Sequence, residues 1–229
     1  MKFIKKIFKL LFWLAISFFI YSILIVVIYK WVPPPFTPFM IIRFVEGFID
    51  GKPVGIDKIW EPYDEVSGNF FRAVVSGEDA RFMQHNGIDW KAVKAAQRFN
   101  ELHEGDRLHG ASTISMQTAR NAFLWHGRNY LRKGLEVYFT YLIEIIWGKK
   151  RILEVYVNIV ELGKGVYGVE AASEAYFHKP AKELTRHEAA LLAAILPNPR
   201  HRNPAHPSDF LEQRARFIQG RMGSVAIPK

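Results

Sequence analysis

With 229 residues, 31 basic against 22 acidic side chains and no cysteine, the chain can bury a sizeable core but excludes a disulfide framework and thiolate catalysis. Its formal charge of +9 invites a nucleic-acid partner, yet five basic residues and no acidic one fall in the first thirty positions, leaving 26 against 22 for the body. So small an excess suits an anionic lipid surface or an anionic substrate at least as well as DNA, and a nucleic-acid binder is the weakest reading.

The clustered charge belongs to a membrane signal. Leu10 to Tyr29 carries no charged side chain over twenty positions, enough to cross a hydrocarbon core as a helix. Lys2, Lys5, Lys6 and Lys9 precede the run and only Lys30 follows closely, so residues 1–9 read as a cytoplasmic tail and the body lies across the membrane. The run ends in Tyr29-Lys30-Trp31-Val32 rather than in small residues, which favours an uncleaved anchor over residues 10–30. Prolines at 33, 34, 35 and 38 make residues 31–59 a stiff spacer and then an apolar linker. Its stretch Phe39 to Phe44 either packs on the body or rests at the membrane interface.

The body, residues 60–229, reads as mainly helical. Ser67 to Val75, with Phe70, Phe71, Val74 and Val75 on one stripe, delivers the chain to Glu78 and Asp79. A carboxylate at the end of an apolar helix can be shielded from water and tuned for proton transfer, although two solvated loop acids would give the same sequence. Asp89 is a plausible cap for a helix from Trp90 to Leu102, and Ser112 for one from Thr113 to about Leu124. Asn129 to Trp147 is apolar almost all round and is stopped by Gly148, so it is expected to be the central buried helix. Arg128, Arg132 and Glu136 repeat every fourth position on one stripe, with Lys133 beside them. Ile152 to Val160 suits strand and helix alike.

Further on, Gly163, Gly165 and Gly168 match G-x-G-x-x-G, but no alternation of strands and helices supports a dinucleotide fold. Tight turns before a helix from Val169 to Tyr176 are the better account. Thr185 and Glu188 form a capping box that opens an alanine- and leucine-rich buried helix, and a last amphipathic helix follows Ser208.

Metal-ligand spacings, D-x-D and the serine-nucleophile motifs G-x-S-x-G and S-x-x-K are absent, which leaves a carboxylate mechanism. The helix start at Ser112-Thr113, followed by Arg120, Arg128, Arg132 and Lys133, supplies several basic groups within reach of one cleft, as a diphosphate needs.

The segments Glu78-Asp79-x-x-Phe82-x-x-His85-x-Gly87, Gly110-Ala111-Ser112-Thr113-Ile114-x-x-Gln117, Arg132-Lys133-x-x-Glu136 and Arg151-Ile152-Leu153-Glu154-x-Tyr156-x-Asn158 resemble ordered motifs of glycosyltransferase family 51. The stretch His187 to Pro199 completes the set, and the resemblance covers roughly residues 60 to 200. It implies a lysozyme-like, two-lobed, mainly helical catalytic domain behind a single N-terminal transmembrane helix, without a transpeptidase half. It also implies lipid II and the growing glycan strand as substrates, β-1,4 polymerisation with inversion, and release of undecaprenyl diphosphate.

Carried over by position, Glu78 is the catalytic base and Glu136 the second catalytic glutamate, which orders the cations or helps hold a divalent ion. Ser112, Gln117, Arg120, Arg128, Arg132 and Lys133 bind substrate. No tightly bound cofactor is implied, with magnesium or manganese admissible at the diphosphate and no metal ligands identified. The partners implied are membrane lipid and other wall-synthesis and division proteins, and the location is the bacterial inner membrane with the catalytic domain on the periplasmic side. Two positions depart from the family's usual pattern: Met116 stands where the motif has a first glutamine, and Arg120 where it has lysine. Phe123-Leu124-Trp125 is expected to project from the cleft toward the bilayer. A lytic enzyme of the same fold type and a noncatalytic wall-synthesis scaffold are the rival readings; the basic stripe argues against the first and the two glutamates against the second.

Overall fold

A computed structural model describes residues 2–103, 110–127 and 129–229. The uncharged N-terminal run forms α1 (Lys2–Tyr29), in which Phe3–Tyr29 is long and apolar enough to cross a membrane. Its C-terminal end is fastened to the body. A helix leaves its last carbonyls without intrahelical donors. Here Trp147 Nε1 donates to Val26 O at 2.7 Å, and Arg151 Nε and Nη2 donate to Tyr29 O at 3.1 and 2.9 Å. The guanidinium also meets the negative end of the helix dipole. Two turns earlier, Ser22 Oγ shares a 2.7 Å hydrogen bond with the Tyr138 hydroxyl.

Thr37 caps the next helix through Met40 N, and Pro38 occupies a first-turn position where its missing donor costs nothing, giving α2 (Pro38–Ile49). This helix has two faces. Met40 and Gly47 are buried, whereas Ile41, Phe44, Val45, Phe48 and Ile49 stay exposed along the other side. The packing alternative for the apolar linker therefore describes one face of it, which lies on the body, while the other face is left uncovered.

In the body, α3 (Gly68–Glu78) is capped by Ser67, and α4 (Trp90–Leu102) by Asp89, whose Oδ1 accepts from Lys91 N and Ala92 N. α5 (Ile114–Phe123) packs against α2, α6 (Tyr130–Ile146) and α7 (Gly148–Ile159). Residues 152–159, ambiguous in sequence, are helical. Helix α8 (Val169–Phe177) leads to α9 (Arg186–Ile195), opened by the expected Thr185–Glu188 capping box, and α10 (Asp209–Arg221) packs on α9 and α3.

The central helices are α7 and α9, which corrects the expectation for 129–147. Ile152, Leu153, Val155, Tyr156 and Val157 are fully buried, as is nearly all of α9 from Ala189 to Ile195. In α6, by contrast, Tyr130, Leu131 and Ile145 are 98%, 71% and 81% exposed. An all-round apolar helix signals either a protein core or a membrane setting; α6 shares one side with the core and another with α1. Gly148, at φ +74°, makes the break between α6 and α7.

The aromatic run at 123–125 also differs from expectation. Leu124 is buried, and Phe123 lies between the Tyr29 ring at 6.0 Å and the Phe139 ring at 4.7 Å, so the run joins the anchor to the body. The reason is α1 itself, which supplies a protein surface where the sequence suggested lipid.

Three short strands, β1 (Asp57–Lys58), β2 (Glu161–Gly163) and β3 (Val166–Tyr167), form a sheet in the order β1-β3-β2. β1 runs parallel to β3 and β2 antiparallel to it. The glycine motif makes these turns rather than a nucleotide site. Gly168 has φ +84°, and a Cβ there would lie 2.7 Å from Asn158 O. Gly168→Ala should therefore cost about 2 kcal/mol or more of stability, measured as a lowered urea midpoint with the slope retained.

Candidate active site

Glu78 is the last residue of α3, at the point where that helix leaves the core formed by Phe70, Phe71, Val74 and Val75. Gln117 Nε2, from α5, donates to Glu78 Oε2 at 3.0 Å, and the Tyr156 hydroxyl, from α7, donates to Gln117 Oε1 at 3.0 Å. Tyr156 is fully buried, and burial pushes its phenol well above the usual range, so the hydroxyl stays protonated. Because this O–H donates to the amide oxygen, the Gln117 NH2 is turned toward the carboxylate.

Arg214 Nη2, from α10, lies 3.9 Å from Glu78 Oε1. Burial raises the Glu78 pKa above the ordinary carboxylate value; the Gln117 hydrogen bond and the Arg214 and Arg120 charges pull it back, while the Asp79 charge adds to the rise. The net upward shift is what a general base requires.

The adjacent carboxylate has a different task. Asp79 is buried, receives His85 Nε2 at 3.0 Å and accepts from Ile114 N at 3.0 Å. It ties the end of α3 to the His85 loop and to the start of α5. The cap of α5 is Thr113, not Ser112: Thr113 Oγ1 accepts from Met116 N at 3.2 Å and donates to Gly87 O at 2.5 Å. Ser112 is half-buried beside it. Met116 is buried, so the departure from the usual glutamine pair falls on a packed position, while Gln117 is the residue that meets Glu78.

Arg132, Lys133 and Glu136 form a second cluster at the start of α6. Glu136 is 1% exposed, with one carboxylate oxygen on Arg132 Nη1 and the other on Lys133 Nζ. Arg132 Nε also donates to Gly127 O at 2.8 Å. Arg132 and Lys133 line a groove of about 360 Å³ with Asn129 and Tyr130. Arg128 lies outside the described residues. Both Glu136 oxygens are engaged by cations, and no cluster of three candidate metal ligands occurs among the described residues.

Gln117, Arg120 and Asn121 open onto a cavity of about 350 Å³. Its other walls include Phe39 and Arg43 of α2, Glu161 of β2, and Asn198, Arg200 and His201. Thus Glu78, Gln117 and Arg120 come together at one site, and Arg132, Lys133 and Glu136 at another. Tyr156, Arg214, Arg43 and Arg200 were not foreseen. Only Tyr156 carried a signal, being a polar side chain among apolar neighbours within a motif segment.

A buried carboxylate is thus joined through Gln117 to an arginine-lined cavity, in a mainly helical body behind an apolar helix, an arrangement suited to glycosyl transfer. Residues 52–223 match the family described as Transglycosylase, whose fold is lysozyme-like, and the chain belongs to that family. It is 46% identical over 219 residues to a biosynthetic peptidoglycan transglycosylase of Pseudomonas savastanoi pv. phaseolicola, covering 96% of this chain and 90% of that one. It is 53% identical over 197 residues to the protein of that name from Rhodospirillum centenum, covering 86% and 82%. For the Bdellovibrio bacteriovorus relative of the same name the figures are 49% over 215 residues, 94% and 85%. The protein is a peptidoglycan glycosyltransferase.

The division of labour between the two acids is testable by unfolding. Asp79→Ala, which strands the His85 ring and the Ile114 donor, should lower stability by about 2–4 kcal/mol in chemical denaturation. Glu78→Gln should leave the denaturation midpoint no lower than that of the wild type.

Proposed function

We propose that the enzyme polymerises lipid II into β-1,4-linked glycan with inversion, Glu78 acting as the base. The observation that carries this reading is the buried Glu78 carboxylate, raised in proton affinity and held by Gln117, which Tyr156 orients and which itself lines the cavity that holds Arg120. Glu78 takes the proton from the acceptor's 4-hydroxyl as that oxygen bonds to C1 of the donor sugar, and the C1–O bond to the diphosphate breaks. The leaving group departs as undecaprenyl diphosphate. It is already anionic and stable, so the site needs fixed positive charge more than a strong acid.

Arg120 supplies that charge at the cavity, and Arg132 and Lys133 on α6 supply more, with Arg128 and the polar Ser112 assigned by sequence position. Glu136 holds the two α6 cations in place. A divalent cation, where one takes part, belongs to the substrate's diphosphate, since the Glu136 oxygens are both engaged. On this reading the enzyme sits in the bacterial inner membrane with its body on the periplasmic face, beside other wall-synthesis and division proteins; the long apolar helix and the lysines before it support that orientation. The outer stripe of α2 and the exposed Tyr130 and Leu131 of α6 then rest against lipid, and a substrate with a polyprenyl tail reaches the cleft without leaving the bilayer.

Labelled lipid II, given to the purified protein in detergent with magnesium, should become muramidase-sensitive polymer. Unchanged lipid II, with a known polymerase active in the same mixture, overturns the reading. Glu78→Gln should lower turnover by about 10²- to 10⁴-fold with the fold intact. A base must be ionised, so rate should fall as pH drops through the raised Glu78 pKa. Arg214→Ala removes a charge that holds that pKa down, and should move the acid limb of the kcat/KM profile to higher pH.

A further inference from the structure

The cavity beside Gln117 has a wall that the family match does not include. α2 ends before residue 52, where the match begins, yet its inner face contributes Phe39 and Arg43 to the same cavity as Arg120 and Arg200. Three guanidiniums therefore surround one space, with Glu161 the acid on its wall. Arg200 Nε lies 3.6 Å from Glu161 Oε1, while Arg43 and Arg120 line the same cavity.

Arg43 is held but not satisfied. Its guanidinium lies over the Phe39 ring at 5.3 Å, and Nη1 reaches Glu46 Oε2 at 3.3 Å. Glu46 is shared with His126 Nε2 at 2.8 Å. Arg43 Nε is buried and has no acceptor among the described residues, which is costly unless an anion supplies one. The location is also telling. α2 starts soon after the long apolar helix ends and turns an apolar stripe outward, and Arg43 is carried on this helix.

Resting on the proposed lipid-linked substrate, we infer that Arg43 is a substrate-binding residue that holds a phosphate of the diphosphate from this wall. The helix joining anchor to catalytic domain is then part of the binding site. A phosphate ester could reach it from the substrate or from an anionic lipid headgroup, and the inference commits to the substrate.

The test uses the full chain in detergent and compares wild type with Arg43→Ala and Arg43→Lys. It measures KM and kcat for lipid II and the inhibition constant of farnesyl diphosphate, a soluble isoprenyl diphosphate. Arg43→Ala should raise both KM and the inhibition constant about tenfold while kcat changes less, and lysine should restore part of the loss. Unchanged constants in a folded Arg43→Ala, with the wild type active, overturn the role of Arg43 alone. A wild type that neither polymerises lipid II nor responds to farnesyl diphosphate overturns the underlying reading.

Should Arg43→Ala fail to fold, Glu46→Gln decides. Releasing Arg43 from its partner should tighten farnesyl diphosphate binding, and an unchanged constant overturns the inference. A parallel series with phosphatidylglycerol in the micelles separates the sources: an Arg43 effect confined to that series identifies a lipid headgroup and overturns the assignment to substrate.

Discussion

The buried Asp79 carboxylate fixes the geometry of the cleft. One oxygen accepts both from the His85 ring and from the first backbone donor of α5, so the end of α3 and the start of α5 cannot move apart without stranding a buried charge. Glu78 precedes Asp79 in the chain, and Gln117 lies one helical turn into α5. Their hydrogen bond thus spans two elements whose separation has already been set by a neighbour. Thr113 adds a second tie, to the carbonyl of Gly87. Where adjacent acids might have repelled each other in a loop, one has become scaffold and the other remains available for chemistry.

Glu78 and Glu136 show opposite solutions to burial. Glu136 is met directly by two cations on its own helix, Arg132 on one oxygen and Lys133 on the other. Glu78 is met by a neutral amide, with its nearest guanidinium only at 3.9 Å. A tight ion pair would have lowered its proton affinity and opposed proton uptake. An amide whose orientation is fixed by a buried phenol supports the carboxylate without suppressing its basicity. Arg214 and Arg120 then moderate the shift from a distance.

What sequence shows well here is local. The Asp89 cap, the Thr185–Glu188 box and the break at Gly148 each depend on residues a few positions apart, and each is present in the fold. Motif positions led to Glu78, Gln117 and Arg120, which do meet. The misreadings share a cause: a pattern can show that a surface is apolar without showing what covers it. The all-round apolar 129–147 segment suggested the central helix, but part of its surface meets α1, and α7 and α9 take the centre. The aromatic run at Phe123 suggests a lipid-facing surface, but Phe123 stacks on an anchor tyrosine. Tyr156, Arg214 and Arg43 come from distant parts of the chain, and no local periodicity relates them to Glu78.

The attachment of α1 carries a mechanical consequence. Donors from Trp147 and Arg151 grip main-chain carbonyls at its end, so anchor and body are joined as a strut rather than by a tether. The uncharged run Leu10 to Tyr29 is about 30 Å long, which matches the roughly 30 Å of a hydrocarbon core, so a thinner bilayer would make the helix lean. With a rigid joint, that lean is passed to the catalytic body. A thinner bilayer would tip the whole enzyme and change the angle at which its cleft meets the membrane surface, making local thickness a determinant of how easily a lipid-borne sugar can enter.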